Sequence, residues 1–150
     1  EISCSLVGSE MCIRDRIKLL HEGNYSCVIK NKEISTFTQR GITDLYDLLN
    51  TDPAFLRGAQ IADKVIGKAA AVLMVLGRVQ EVYTDIISEP ALVLLRRANI
   101  KLDCMQVVPR IQNRNRTGWC PLETLCYEEN SLEILYSIIH DFVERMRNNL

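Results

Sequence analysis

Three arginines, Arg110, Arg114 and Arg116, fall in one polar stretch, PRIQNRNRTG, just ahead of the single tryptophan, Trp119. Guanidinium groups clamp phosphate oxygens through paired N–H donors, and an aromatic ring beside them can stack a base. Asn113 in the same stretch adds an amide. The competing reading is a solvated loop in which alternating arginines never converge. Ser88-Glu89-Pro90 is a helix-start signature: Ser caps, Glu favours the positive end, and Pro gives up an amide hydrogen that has no partner there. Exposed amides at such a start attract phosphate, so Ser88 and Glu89 join the candidate ligand contacts, against capping alone. Lys64 and Lys68 are four apart with Asp63 adjacent, which on a helix places both ammonium groups on one edge, against the plainer reading of a solvated face.

Cys120 precedes Pro121, with Glu123 three residues on, a spacing that places the thiol at a helix N-cap where the dipole favours thiolate. Cys120 is thus the candidate nucleophile or redox thiol, with Glu123 or Asp63 as polar partner. No histidine is placed beside it by the sequence, and a buried or capping cysteine is the ordinary alternative. Cys120 and Cys126 are too far apart for a Cys-x-x-Cys knuckle. Gly67-Lys68 has the look of a phosphate-binding loop, but Ala62 holds the first glycine position and Ala69 replaces the magnesium-binding Ser or Thr. The pair is also expected inside a helix.

The elements that must position these residues follow from apolar spacing. Tyr25–Lys30 and Glu33–Thr38 read as strands joined by Asn31 and Lys32, a hairpin-length connection. Ile42, Leu45, Leu48 and Leu49 have helical spacing and predict a helix over 42–50, broken at Pro53. Ile61, Val65, Ala69, Val72 and Leu76 predict a second helix over 61–76. Val79–Ile87 reads as a strand, 91–98 as a helix, and Leu102–Val108 as another strand. Leu132, Leu135, Ile138, Ile139, Phe142 and Met146 form the stripe of a closing amphipathic helix, which docks on its own domain or serves a homo-oligomer interface. Strands alternating with helices predict an α/β domain with a partly parallel sheet covered on both faces.

At 150 residues, 47% hydrophobic and 25% charged, the chain has the composition of one globular domain. A formal net charge of −1 gives no field that would gather nucleic acid or anionic lipid. The longest apolar run, Ala69–Leu76, is far short of the roughly 18 residues that cross a bilayer. The six cysteines are irregularly spaced, and no secretory leader is visible, so they read as reduced thiols of a cytoplasmic protein. Residues 1–16 carry no helical or strand period, and MCIRD at 11–15 reads as translated sequencing adaptor. The first sixteen residues are set aside as such an artefact or as a disordered extension, leaving a domain over 17–128 and a C-terminal helix over 129–150.

DKVIGKAAA at Asp63–Ala71, SEPAL at Ser88–Leu92 and NRNRTGWCPLE at Asn113–Glu123 resemble a bacterial and archaeal family, the domain of unknown function 1893 family. The likeness runs from Ile17 to Glu128. It implies a three-layer α/β/α domain, similar to cytidine deaminases, with a mixed sheet of about five strands and without zinc. Zinc deaminases place Pro-Cys-x-x-Cys at a helix start and His-x-Glu or Cys-x-Glu on the preceding helix. Pro90 is present here, but Ala91 and Leu94 stand at the thiolate positions, and no His, Cys or Glu occurs between Glu33 and Glu81. With neither ligands nor proton shuttle, deaminase chemistry is excluded. The resulting expectation is a non-catalytic binding or regulatory domain for a nucleotide-like phosphate ligand, needing no metal or cofactor and binding no nucleic acid or membrane. Asp63, Lys64, Lys68, Ser88, Glu89, Asn113, Arg114 and Arg116 would line its site. The alternative is an enzyme or redox protein dependent on Cys120.

Overall fold

In a computed structural model, the described residues are 13–23, 25–31, 34–37, 42–112, 118 and 120–148. Five strands, β1 (Cys27–Lys30), β2 (Ile34–Phe37), β3 (Gln60–Ile66), β4 (Glu81–Ser88) and β5 (Lys101–Val108), form one mixed sheet in the order β2-β1-β3-β4-β5. β1 pairs antiparallel with β2 and with β3, whereas β3, β4 and β5 run parallel. The parallel part demands helical crossovers. These are α4 (Lys68–Gly77), between β3 and β4, and α5 (Glu89–Arg97), between β4 and β5. The remaining helices are α1 (Ile13–Glu22), α2 (Thr43–Thr51), α3 (Pro53–Leu56), α6 (Pro121–Cys126) and α7 (Leu132–Asn148). This is an α/β fold.

Register and burial together show how the sheet separates its two covers. Ile29, Ile61 and Val82 are partners across three strands, and all three enter the main core with α2, α4, α5 and α7. Val28, Ala62 and Tyr83, one residue along, are likewise partners but pack with Leu20 of α1 in a smaller cluster on the other face. The period-2 alternation of the strands thus feeds two apolar layers. His21 on α1 reaches Asp85 at 2.8 Å, and the Tyr83 hydroxyl donates to the same carboxylate at 2.7 Å, so polar contacts fix α1 on its face.

The hairpin, the helix after residue 42, the strand–helix–strand run β4-α5-β5 and the closing helix lie where apolar spacing predicts them. The helix predicted over 61–76 does not: its first part is β3, and α4 begins only at Lys68. β3 lies between β1 and β4; Ile61 and Ile66 enter the main core and Ala62 the smaller cluster on the other face, while Val65 is 43% exposed, so polar alternation is lost. Gly67-Lys68 is accordingly a strand-to-helix junction and not a helix interior. α1 starts ahead of Ile17, the predicted start of the domain.

α4 is the central helix, buried along nearly its whole length. Its last residue, Gly77, approaches α3 so closely that an added Cβ lies 2.9 Å from Leu56 Cβ and Cδ1. Gly77→Ala is therefore expected to cost about 1–3 kcal/mol through overpacking, read as a shift in urea midpoint without a change in slope. α7 docks within the chain through buried Leu135, Ile139 and Val143. Polar contacts reinforce its seam with α2: Tyr46 hydroxyl with His140 Nδ1, Tyr136 hydroxyl to Asn50, and Arg147 to both oxygens of Asp47. No helix of the described residues is long and apolar enough to cross a membrane.

Candidate oxyanion cradle

Parallel strands followed by helices bring helix N-termini to one edge of the sheet, where backbone amides point outward without partners. β3 and β4 end there at Ile66 and Ser88, and α4 and α5 start there. The two starts are capped differently. Ser88, fully buried, caps its own helix by accepting from the Ala91 amide at 3.4 Å. Gly67, at the cap of α4, has no side chain to offer, and the cap comes from Glu123 on α6. Both carboxylate oxygens of Glu123 accept from the Lys68 amide, at 3.0 and 3.2 Å, and Oε1 also accepts from the Ser88 hydroxyl at 3.3 Å. A Cβ at 67 would lie 2.8 Å from Glu123 Oε2, so a side chain there would displace the carboxylate that caps α4.

The cluster is a buried polar node. Lys68 and Glu123 are 5% and 2% exposed, so both charges are held against a desolvation cost. Burial pushes the Glu123 carboxyl above its ordinary range, opposed by the Lys68 amide, the Ser88 hydroxyl and the charges of Lys68 and Arg110. Burial also lowers the Lys68 ammonium, against nearby Cys126, Glu123 and Glu129. The Lys68 Nζ donates to the Tyr127 carbonyl at 3.0 Å and to the Glu129 carbonyl, in the chain just past α6. Lys68 thereby holds α6 from both ends, by its amide and by its ammonium. Arg110 places its guanidinium carbon 3.9 Å above the Tyr127 ring centroid. Beside this stack an open groove of about 460 Å³ is lined by Arg110, Thr124, Leu125, Tyr127, Glu128, Glu129 and Ile138.

Of the residues selected from sequence, Lys68, Ser88 and Glu123 meet in this node. Lys64 sits mid-strand in β3, so it shares no helical edge with Lys68. Asp63 faces Cys27 across the β1–β3 register, and burial raises its carboxyl to about 7. Glu89 is exposed in the first turn of α5. Asn113, Arg114, Arg116 and Trp119 lie outside the described residues. Cys120 does occupy the N-cap of α6, with no side-chain capping bond. Glu123, however, is committed to Lys68 and Ser88, and Asp63 to the Cys27 neighbourhood, so neither forms the expected pair with Cys120. Cys126, on the same helix, is fully buried and its thiol is pushed up to about 11 by burial. The described residues contain no group of three or more His, Cys, Asp or Glu arranged to hold a metal ion.

Sequence reasoning missed the link between Lys68 and Glu123, which are far apart in the chain. Its one visible trace is a glycine at a helix start that lacks a capping side chain of its own. Ser88→Ala removes both the α5 cap and one donor to Glu123, and is expected to cost about 1–2 kcal/mol in urea melts.

The family model of a domain of unknown function (DUF1893) matches residues 15–143. A crystal structure of a DUF1893 family protein (TM1506) from Thermotoga maritima superposes with a TM-score of 0.80. It covers 94% of this chain and 95% of its own, at 20% identity, a likeness that shows the shared fold. Among curated proteins nothing matches.

Proposed function

The chain belongs to the family described as a domain of unknown function (DUF1893), and from that premise we propose a non-catalytic binding or regulatory domain of cytidine-deaminase-like architecture that receives a nucleotide-like phosphate ligand. The sheet order with three parallel strands supports the deaminase likeness, as do two helix starts meeting at one strand edge. In zinc deaminases such helix starts carry the metal ligands. In this chain Ala91 and Leu94 stand at the thiolate positions and α4 starts with Gly67 and Lys68, none of them a metal ligand, while Glu89 in the first turn of α5 is exposed.

The observation that carries the reading is the Glu123 carboxylate itself. The Lys68 amide and the Ser88 hydroxyl already hold an oxyanion, one supplied by the chain. A phosphate oxygen presents the same acceptor geometry to the same donors. The Arg110–Tyr127 stack and its groove lie on the exposed side of α6, the helix that carries Glu123, and offer the remainder of a small ligand a place outside the cradle.

Native mass spectrometry of the protein purified from its host tests this reading. The expected result is a retained phosphate-bearing small molecule without metal. Stoichiometric zinc contradicts it.

A further inference from the structure

Glu123 of α6 occupies the cradle, so α6 covers the Lys68 amide and the Ser88 hydroxyl. Its buried side chains are Leu122, Glu123 and Cys126, while Leu125 is 49% exposed. Two apolar anchors are a small hold for a helix lying on the core, and segments with few buried apolar contacts open at low cost. The rest of its attachment is polar and converges on Lys68. The amide of Lys68 binds Glu123, and its ammonium binds the carbonyls of Tyr127 and Glu129. On the near side the Cys120 amide donates to the Ile111 carbonyl at 2.8 Å. Both charged members of the latch are buried, so each is worth less than its hydrogen bonds suggest.

We propose that α6 is a hinged strap that gates the cradle: it opens as a unit, with Lys68 as its latch, while the sheet and α4 stay folded. Opening withdraws Glu123, uncovers the Lys68 amide and the Ser88 hydroxyl, and exposes Cys126. This gating is independent of what the cradle receives, so it stands or falls apart from the ligand reading above.

The four described cysteines are free and sit where they report on it. Cys126 is fully buried on the strap itself, whereas Cys27 is 7% exposed on β1 in the sheet. Site-resolved thiol labelling of the intact protein across low urea concentrations, read by mass spectrometry, separates the two. Expected is Cys126 labelling that depends only weakly on urea and runs ahead of Cys27, which labels with the steep dependence of global unfolding. Lys68→Met is expected to speed Cys126 labelling at least about tenfold relative to Cys27, because the ammonium's carbonyl bonds are lost. Cys126 and Cys27 labelling together, with the same urea dependence in the unsubstituted protein, overturns the strap. So does a Lys68→Met protein in which both rates rise equally.

Discussion

Glu123→Ala is expected to lower stability by about 2–4 kcal/mol, whereas Glu123→Gln stays within about 1 kcal/mol of the parent. Alanine leaves the Lys68 amide and the Ser88 hydroxyl buried without an acceptor, at roughly 1–3 kcal/mol for each unsatisfied group, and removes the cap of the central helix. Glutamine keeps one oxygen at the Oε1 position, which already accepts from both the Lys68 amide and the Ser88 hydroxyl. It also relieves the burial of a charge. Urea denaturation of the three proteins at neutral pH is the measurement. Equal losses for alanine and glutamine would mean that the charge, and not the acceptor, holds α4.

Asp63→Asn is expected to stabilise the protein at pH 8 by an amount on the order of 2–4 kcal/mol and to leave it nearly unchanged at pH 4. Burial raises the Asp63 carboxyl from 3.8 to about 7, partly opposed by the backbone amides of Val65 and Lys64. Between those two values the folded protein holds a proton that the unfolded chain has released. Stability from this group is therefore greatest below the unfolded value and is lost as pH rises through about 7. Asparagine carries no charge to bury and removes that slope, at the cost of weaker acceptance from the Val65 amide. Urea midpoints of both proteins measured from pH 4 to pH 8 decide it. A parent protein whose stability does not fall over that range would show that Asp63 is ionised at little cost.

What the sequence makes legible follows the local physics of each element. Ser88-Glu89-Pro90 starts α5 with the cap that its residue types demand, and the alternating strands and the α7 stripe reach the surface on one side, where polarity marks their period. β3 is the instructive exception. Flanked by two strands, with Ile61 and Ile66 in the main core and Ala62 in the smaller one, it carries apolar residues without alternation, and Ile61 and Val65 happen to continue the helical spacing of α4. The candidate site divides in the same way. Ser88 is visible as a helix cap, whereas Lys68 reads from sequence as the interior of a helix over 61–76 and becomes a helix start only once β3 ends at Ile66. That the oxyanion between them is Glu123 depends on the tertiary path of α6, which no local pattern encodes. Glu123 reads from sequence as a partner for the adjacent Cys120, because sequence proximity is the only available guide.

Lys68 and Ser88 form an oxyanion cradle filled by the chain's own carboxylate. Titration of Glu123→Ala and of the parent protein with inorganic phosphate at constant ionic strength, followed by thermal stability, decides whether this cradle accepts an external oxyanion. Phosphate is expected to raise the melting temperature of the alanine protein by several degrees more than that of the parent, since a ligand that binds only the folded state stabilises it by RT ln(1 + [L]/Kd). Equal shifts in the two proteins, or none in either, would contradict it.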